Sequence, residues 1–289
     1  MTRPSNLWLE KDLLITGGSG SFGTAFFTGL APEEYRRAIC FSRGWLAQKK
    51  LRADLGEPDW MRWFIGDVRD PDRLYRAFNG VDTVIHAAAL KDLDACSYNP
   101  SEAMRTNVNG TQNVIDACIA RGVKRCLLIS TDKAVAPSNL YGKSKAMAED
   151  LWLDANTYAA NDAVTFSVCR YGNVVGSSGS VVPVFRRMIA EGATSLPVTH
   201  PDSTRFWMEM PEVLKFVRAA LNTMQGGEIF IPTLPSIRIT DLCQALDRPY
   251  HITGLRKGEK IHETMGQEFD SGSNPWFLTV DEIRKSIGG

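Results

Sequence analysis

The chain has 289 residues, of which 44% are hydrophobic and 23% charged, a composition typical of a globular protein rather than a disordered or fibrous one. Its 33 Lys and Arg residues balance its 33 Asp and Glu residues, so no overall field favours nucleic acid or an anionic membrane. No apolar run reaches the roughly 20 residues of a membrane-spanning helix, and Met1 to Leu13 lacks a signal-peptide pattern, so we expect a cytoplasmic protein with no nucleic-acid or membrane partner.

Short apolar runs alternate with longer helical patterns from Asp12 to Ser167, which is typical of βαβ units on a parallel sheet. The predicted strands are Leu13–Thr16, Ala38–Phe41, Met61–Gly66, Thr83–His86, Cys126–Ser130 and Thr165–Cys169. The clearest helix runs from Asn99 to a glycine stop at Gly122. The pattern predicts an α/β fold with a Rossmann-like, doubly wound parallel sheet.

After Arg170 the character of the chain changes, and glycine and serine accumulate between Gly172 and Ser180. We expect a smaller C-terminal substrate-binding lobe to begin there. The predicted domains are a nucleotide-binding Rossmann domain at 1–170, with 207–231 packing back on it, and a substrate-binding lobe made of 171–206 and 232–289.

The cysteines are scattered, with no C-x-x-C pair and no histidine at zinc spacing. They are Cys40, Cys96, Cys118, Cys126, Cys169 and Cys243. Because most lie in apolar runs, we expect buried thiols, no disulfide and no metal site.

The first predicted strand leads directly into a turn in which Gly17, Gly20 and Gly23 are spaced three residues apart, before a helical pattern. In a dinucleotide site the first glycine permits the bend, the second lets the backbone approach a pyrophosphate, and the third lets the helix pack closely. A glycine-rich turn without a ligand is the alternative. The other predicted contacts in this turn are Ser19, Ser21 and Phe22.

The end of the second predicted strand indicates which cofactor this site prefers. Ser42 and Arg43 stand where an NAD site would place an acid. A hydroxyl and a guanidinium fit a 2′-phosphate, which favours NADP over NAD, although Arg43 could instead be an ordinary surface cation.

The third and fourth predicted strands also end in candidate cofactor contacts, because ligands of open α/β sheets bind at the carboxyl ends of the strands. Asp67, followed by Val68, can accept a hydrogen bond from an adenine amine. The small side chains of Ala87, Ala88 and Ala89 would let a cofactor lie flat, or would serve close strand packing.

A helical pattern after the fifth strand places Tyr141 and Lys145 one turn apart on the same face. An ammonium beside a phenol lowers the phenol pKa, so Tyr141 could take a proton from an alcohol while a nicotinamide accepts hydride. Thr131 could hydrogen-bond the same oxygen. Such a Tyr and Lys pair also occurs by chance on exposed helices, so the interpretation depends on the glycine turn upstream.

Taken in order, T-G-x-x-G-x-x-G, D-V-R-D, H-A-A-A and Y-x-x-x-K resemble the motifs of the extended short-chain dehydrogenase/reductases. Within that group the chain is similar to the inverting UDP-N-acetylglucosamine 4,6-dehydratases of pseudaminic acid synthesis. The matching segments include S-T-D-K-A-V-A-P-S-N-L-Y-G, R-Y-G-N-V-V-G-S-S-G-S-V-V-P, T-R-F-W and G-E-K-I-H-E, and they span Ile15 to Glu263.

The resemblance implies a role for each matching residue. Tyr141, with Lys145, would oxidise the sugar C4 hydroxyl by passing hydride to NADP, which acidifies the C5 proton. Lys133 would then remove that proton, Asp132 would protonate the leaving C6 hydroxyl, and hydride would return to C6. A lysine in place of the glutamate of the retaining relatives implies inversion at C5.

The resemblance also implies binding residues for UDP-N-acetylglucosamine and further contacts to the cofactor. The substrate contacts would be Lys91, Asn173, Val181, Arg205, Arg256 and Glu259, and the additional cofactor contacts Lys91 and Asn107. Each of the cations could instead be a solvated surface residue, as could Lys260.

Departures from the family pattern keep cofactor and substrate selectivity open. Ala47 stands where relatives carry a lysine near the 2′-phosphate. The preference for NADP would be weaker as a result, unless Lys49 or Lys50 compensates. Asp92 and Asp94 follow Lys91 where relatives show His and Pro, and inward-pointing carboxylates would repel a diphosphate.

Two other hypotheses remain: another UDP-sugar epimerase or dehydratase of this group, or a catalytically silent NADP-binding scaffold. The family resemblance implies a homo-oligomer. His86 and His262 are interpreted as structural residues, because Tyr141 already fills the role of base.

Overall fold

The structure is a computed structural model that describes residues 11–31, 34–159, 164–177, 179–266 and 269–288. The N-terminal segment Met1–Glu10, on which the signal-peptide expectation rests, lies outside the described residues.

The strands of the described chain are β1 (Asp12–Thr16), β2 (Arg37–Ser42), β3 (Met61–Ile65), β4 (Thr83–His86), β5 (Arg125–Thr131), β6 (Thr165–Tyr171), β7 (Asn173–Val174), β8 (Leu196–Val198), β9 (Thr204–Met208), β10 (Ile229–Phe230), β11 (Ser236–Arg238) and β12 (Tyr250–Ile252). The α-helices are α1 (Ser21–Thr28), α2 (Trp45–Asp54), α3 (Pro71–Ala77), α4 (Leu93–Tyr98), α5 (Pro100–Met104), α6 (Gly110–Arg121), α7 (Leu140–Tyr158), α8 (Val181–Ala190), α9 (Met210–Thr223), α10 (Ile239–Ala245) and α11 (Val280–Ser286).

A seven-stranded parallel sheet with the order β10-β6-β5-β4-β1-β2-β3 forms the centre of the fold. The strand order reverses between β1 and β4, which is the switch point where doubly wound sheets bind their ligands. The six strands predicted from apolar runs are all present, each within about two residues of its predicted ends. The predicted Rossmann-like fold is confirmed.

Helices cover both faces of the sheet because alternate residues of its strands point in opposite directions. Leu13 and Ile15 of β1 pack under α1, α2 and α9, whereas Leu14 packs with α3, α6 and α7. Phe26 of α1 and Trp152 of α7 are among the largest fully buried side chains of the two layers. This two-sided burial explains why the strands are continuous apolar runs rather than alternating ones.

The segment after β6 divides between the large sheet and a smaller lobe. Helix α9 packs on α1, and β10 pairs with β6, so both return to the large sheet. The smaller lobe contains the sheet β11-β9-β7, the pair β12-β8 and helices α8, α10 and α11 around a third apolar cluster. In the described part of the chain, no helix is both long and apolar enough to cross a bilayer.

The predicted helix from Asn99 to Gly122 is confirmed in extent but is not uniform. A π-helical segment, Arg105–Asn109, separates α5 from α6. The helix ends at Gly122, which adopts the left-handed conformation expected of a glycine stop. π-segments widen a helix locally and often accompany functional sites, and Thr106 within this one reaches the cavity described below.

All six cysteines are buried with free thiols. Burial raises the pKa of Cys40 to about 12 and of Cys243 to about 11, so these thiols are unreactive at neutral pH.

Candidate active site

A cavity of about 530 Å³ lies at the carboxyl ends of β1 to β5, across the switch point of the sheet. Ser177, Gly179 and Ser180, between β7 and α8, also line it. The predicted site residues that line it are Gly17, Ser19, Gly20, Ser21, Phe22, Ser42, Arg43, Asp67, Val68, Ala87, Ala88, Ala89, Lys91, Thr131, Lys133, Tyr141, Lys145 and Asn173. The structure therefore gathers most of the predicted residues in one place.

The glycine turn at the end of β1 has the shape that a dinucleotide requires. Gly17 has a φ of 68°, and a Cβ there would approach the Ala88 backbone to 2.9 Å. Gly23 does not line the cavity, but a Cβ there would overlap the Gly18 carbonyl, so a glycine lets α1 pack against the turn. Gly20 supplies no side-chain cap to α1, which leaves its N-terminus to a pyrophosphate.

Beside the glycine turn, polar side chains fix the hydroxyl of Ser42. It lies 2.8 Å from the hydroxyl of Ser19 and accepts a hydrogen bond of 2.9 Å from Gln48. Arg43 is more exposed, and its guanidinium is 3.8 Å from the carboxylate of Asp67. The two residues predicted to bind a 2′-phosphate are thus Ser42, whose hydroxyl is held by hydrogen bonds, and Arg43, an exposed cation beside it.

Asp67 has a competing partner within its own turn. Although burial raises its pKa, hydrogen bonds from the side chain and backbone of Arg69 lower it, and the net direction is downward. Arg69 also bonds Glu102. Lys49, a possible substitute for the missing lysine at Ala47, instead lies over the Trp45 ring at 5.8 Å.

The loop after β4 is braced by two residues that do not line the cavity. The Asn107 amide accepts a hydrogen bond from the Leu90 N–H (2.7 Å) and donates to the Leu90 carbonyl and to Ser144. His86 lies between the hydroxyls of Thr16 and Thr111, and burial lowers its pKa to about 3. Asn107, a predicted cofactor contact, therefore lies behind the wall, and His86 is a neutral structural residue.

Helix α7 places Tyr141 and Lys145 at the cavity. Lys145 donates a 2.8 Å hydrogen bond to the Ile129 carbonyl, and burial lowers its pKa to about 8 although Glu149 opposes this shift. Burial raises the pKa of Tyr141 to about 12, with the charge of Lys133 opposing. The charge of Lys133 thus lowers the phenol pKa against burial, while the Lys145 ammonium donates to the end of β5 one helical turn away.

Asp132 and Lys133 form a 3₁₀ turn directly after β5 and bind each other. The Lys133 Nζ is 3.1 Å from Asp132 Oδ1, which also accepts a 2.8 Å hydrogen bond from the Thr131 hydroxyl. Asp132 is fully buried, and its Oδ2 has no hydrogen-bond partner within the described chain. Lys133 lines the cavity, whereas Asp132 lies just behind it.

A second carboxylate, Glu263, approaches Lys133 from the C-terminal lobe. Its Oε1 lies 3.5 Å from the Lys133 Nζ, and the residue is 4% exposed. Burial lowers the pKa of Lys133, but Asp132 and Glu263 together outweigh burial and the charge of Arg205, so its pKa is raised. Sequence reasoning missed Glu263, although it ends the segment G-E-K-I-H-E that carries the family resemblance.

The predicted substrate residues fall into two groups. Asn173 lines the cavity, and its Oδ1 has no partner among the described residues. Val181 begins α8, directly after Ser180, whose buried hydroxyl also lines the cavity without a partner in the described chain. The N-terminus of α8 thus faces the cavity with polar groups available.

The second group lies in the C-terminal lobe and does not line the cavity. Arg205 is buried, 3.1 Å from Glu259, and Glu259 also accepts a 2.9 Å hydrogen bond from Thr199. Arg256 is 68% exposed, with its guanidinium 3.9 Å from the carboxylate of Asp94. Sequence reasoning did not anticipate that Arg205 and Glu259 pair with each other.

The two unexpected carboxylates do not both point into the cavity. Asp92 lines it, but its side chain caps α4 by accepting a 2.7 Å hydrogen bond from the Ala95 N–H. Asp94 is 85% exposed and faces Arg256. The expected repulsion of a diphosphate is therefore reduced by a helix cap and an ion pair.

The sequence profile of the polysaccharide biosynthesis protein family matches residues 13–277. Over 282 residues the chain is 49% identical to a UDP-N-acetylglucosamine 4,6-dehydratase (inverting) from Campylobacter jejuni, covering 96% of this chain and 84% of that protein. It is 37% identical over 269 residues to a UDP-glucose 4-epimerase from Rickettsia canadensis, covering 90% of this chain and 78% of that one.

Solved structures share the whole fold. The X-ray structure of Pen from Bacillus thuringiensis is 30% identical with a TM-score of 0.92, covering 97% of this chain and 98% of that chain. A dTDP-glucose 4,6-dehydratase from Streptomyces venezuelae, crystallised with NAD, is 21% identical with a TM-score of 0.80, covering 96% and 95%.

Proposed function

This chain belongs to the polysaccharide biosynthesis protein family and shares the architecture of the extended short-chain dehydrogenase/reductases, and from that membership we propose that it is an inverting UDP-N-acetylglucosamine 4,6-dehydratase. The product would be a UDP-2-acetamido-2,6-dideoxy-β-L-arabino-hexos-4-ulose. The observation that carries the proposal is the Asp132–Lys133 ion pair beside Tyr141 at the wall of one cavity.

The chain fits NADP as its cofactor. The bend at Gly17 and the uncapped start of α1 suit a pyrophosphate, and Ser42 with Arg43 suits a 2′-phosphate at a strand end without an acid. A nicotinamide bound in the cavity would accept hydride from C4 of the sugar and later return it to C6. Structural relatives crystallised with NAD make cofactor preference a necessary measurement.

Three side chains of this chain would move protons during the reaction. Tyr141 would take the proton of the C4 hydroxyl, with Thr131 beside it and Lys145 behind it. Lys133 would take the proton from C5, which the new C4 ketone acidifies. Asp132 would give a proton to the C6 oxygen, which leaves as water.

The C-terminal lobe would hold the UDP moiety. Asn173 and the N-terminus of α8 at Val181 face the cavity with available polar groups, which suits the diphosphate. Arg205, Arg256 and Glu259 would close on the nucleotide from the lobe. The cofactor would be bound by residues 1–170 together with 207–231. The sugar nucleotide would be bound by residues 171–206 together with 232–289.

A UDP-sugar 4-epimerase is the competing function, since an epimerase from Rickettsia canadensis also resembles the chain. Epimerisation requires the oxidation of C4, for which Tyr141 and Lys145 suffice. It does not require an acid and a base at C6 and C5. The pairing of Asp132 with Lys133 at 3.1 Å therefore favours dehydration.

The test is proton NMR of the purified protein with UDP-N-acetylglucosamine in D₂O and a trace of NADP. We expect a 4-keto-6-deoxy product with deuterium at C5 and ring couplings of the inverted configuration. A 4-epimer with hydrogen retained at C5 would establish the epimerase instead. Repeating the assay with NAD decides the cofactor.

The matched variants are Lys133→Met, which removes the proposed base, and Lys215→Met, which removes an exposed lysine of α9. Lys133→Met should bind NADP but lose turnover by about 100-fold or more, the usual contribution of a general base. Lys215→Met should retain turnover. Full biological activity of Lys133→Met in the source cell would favour a silent scaffold.

Self-association is proposed through the helix that begins near Asn99, directly after Tyr98, and the helix that contains Tyr141, the usual pairing surfaces of such folds. Tyr98 of α4 is 88% exposed, and Met147 of α7 is also exposed, so this face presents apolar surface to solvent. Sedimentation of the unmodified chain and of Tyr98→Glu tests it: the substitution should shift the protein towards monomer.

A further inference from the structure

Lys133 is held between carboxylates supplied by two different parts of the fold. Asp132, its neighbour in the chain, lies 3.1 Å from the ammonium, and Glu263 of the C-terminal lobe lies 3.5 Å from it. Both carboxylates are buried, and each has one oxygen without a hydrogen-bond partner in the described chain. Unsatisfied buried oxygens are uncommon in folded proteins and often mark a group that takes part in catalysis.

The proposed reaction needs protonation states that differ from those of this structure. Tyr141 and Lys133 must each lose a proton before either can act as a base, because burial keeps the phenol protonated and two carboxylates keep the lysine charged. Asp132 must gain a proton before it can act as an acid. Two protons must therefore leave the two bases, and Asp132 can accept only one of them.

The hydrogen bonds assign the first of these protons to Asp132. The Thr131 hydroxyl donates to Asp132 Oδ1 at 2.8 Å and also contacts the phenol of Tyr141. A proton leaving Tyr141 therefore has a short path to Asp132, which becomes the acid for C6. The proton of the Lys133 ammonium needs another acceptor.

On the premise that the chain is the proposed dehydratase, we infer that Glu263 is this acceptor, a positioning residue through which the C-terminal lobe sets the protonation of Lys133. Its carboxylate is the other one in contact with the ammonium, through Oε1, and its buried Oε2 lies 3.9 Å from the Lys260 Nζ and accepts no hydrogen bond within the described chain. The backbone of Glu263 is fixed by a 2.8 Å hydrogen bond from its N–H to the Ser271 hydroxyl.

The protons balance over one turnover. The ammonium of Lys133 gives one proton to Glu263, and the resulting amine takes the proton of C5, whose electron pair passes into the enolate of the C4 ketone. Asp132 protonates the leaving C6 oxygen. After hydride has reached C6, the bound intermediate turns the opposite face of C5 towards Lys133, which returns a proton there and so inverts this centre. Glu263 then gives its own proton to the amine and ends the cycle as a carboxylate.

The remaining charged and titratable groups that face Lys133 are unsuited to accept its proton. Asp132 is committed to C6, Arg205 is cationic, and the phenol of Tyr141 is itself a donor. Lys260, whose Nζ is 3.9 Å from Glu263 Oε2, donates to the Val135 carbonyl and holds the carboxylate near the lysine. Glu263 is therefore the group best placed to take the proton.

The test compares two partial reactions in Glu263→Gln loaded with NADP. Oxidation at C4, followed by the absorbance of the reduced nicotinamide, should retain the rate of the unmodified protein. Exchange of the C5 proton with D₂O and release of the 4-keto-6-deoxy product should both fall by about 100-fold. Glu263→Asp should recover part of the loss, because it restores an acceptor at a longer distance.

Glu191→Gln, at an exposed position after α8, is the matched control and should change neither step. An equal loss of C4 oxidation and C5 exchange in Glu263→Gln, or no loss of either, would overturn the inference. If Glu263→Gln does not bind NADP or fold, the same comparison in Glu263→Asp decides. Absence of dehydration by the unmodified chain would instead refute the proposed function.

Discussion

The pKa values of two lysines in the site are shifted in opposite directions because the neighbours of the two side chains differ. Lys133 faces two carboxylates, which raise its pKa against the effect of burial. Lys145 is more deeply buried, only Glu149 offsets burial, and its pKa falls to about 8. Desolvation alone thus does not predict the charge of a buried lysine, and its partners decide the direction.

The lowered pKa of Lys145 makes stability depend on pH. In the unfolded chain this lysine has its ordinary pKa of 10.5, so between about 8 and 10.5 the unfolded state binds more protons than the folded state. Stability should therefore rise with pH through that window, by an amount on the order of 3 kcal/mol. Lys145→Met should lack this rise.

The measurement is the free energy of unfolding in urea for both proteins across this pH range. The difference between the two proteins cancels the other titrating groups. Parallel curves would show that Lys145 keeps the same pKa in the folded and unfolded chain.

At the scale of elements, the start of α7 is pressed against the turn that carries Lys133. Asn139 caps the helix by accepting a 2.9 Å hydrogen bond from the Gly142 N–H. A Cβ on Gly142 would overlap the Lys133 carbonyl and approach Pro137 to 3.1 Å. Only a glycine at position 142 therefore lets α7 approach the turn closely enough to keep Tyr141 near Lys133.

Gly142→Ala should push α7 away from that turn. We expect a loss of about 1–3 kcal/mol in stability, as for other overpacked sites, and a loss of up to about 100-fold in turnover from misplaced side chains. Gly122→Ala is the control, since Gly122 has a left-handed φ but open space around it. It should lose stability and keep its activity; an equal effect of both variants on kcat would contradict the argument.

A second contact between elements ties α7 to β6. Arg170 donates to Glu149 at 3.1 Å and to the Met265 carbonyl at 3.1 Å, and both charged side chains are nearly buried. Glu149→Leu should cost about 3–5 kcal/mol, because it leaves the buried guanidinium without its carboxylate.

The double variant Glu149→Leu with Arg170→Met should be less destabilised than Glu149→Leu alone, since no buried charge remains unpaired. Urea unfolding of the two single variants and the double variant gives the coupling energy. Additive costs would show that the two charges do not stabilise each other.

At the scale of the whole molecule, an exposed ion pair joins the two parts of the fold. Asp94 of α4 and Arg256 of the C-terminal lobe lie 3.9 Å apart. Exposed pairs of this kind contribute little to stability. Arg256 is therefore free to exchange its partner for the diphosphate of a sugar nucleotide.

Arg256→Ala should weaken the binding of UDP by about tenfold, equivalent to about 1.4 kcal/mol, without lowering the unfolding temperature. Asp94→Asn should strengthen it, because it releases Arg256 and removes a negative charge from the entrance. Isothermal titration of the NADP-loaded protein with UDP measures both. Unchanged affinities would place the diphosphate elsewhere.

The large sheet and the nucleotide end of the cavity could be predicted from the sequence because their signals are local. Inner parallel strands such as β1 and β4 are buried on both faces, so each forms a nearly continuous apolar run in the sequence. The bend at Gly17 and the spacing of Tyr141 and Lys145 also depend only on residues within one turn or one helix. Family membership followed from the order of these short motifs.

Only the tertiary structure decided which distant side chains meet. Glu263 reaches Lys133 across 130 positions, Arg205 pairs with Glu259, and Asn107 serves the loop after β4 rather than the cavity. No periodicity encodes such pairings, because they depend on how two lobes close on one another. Local sequence patterns determined the large sheet and the nucleotide end of the cavity, whereas long-range packing determined which charges act on the catalytic lysine.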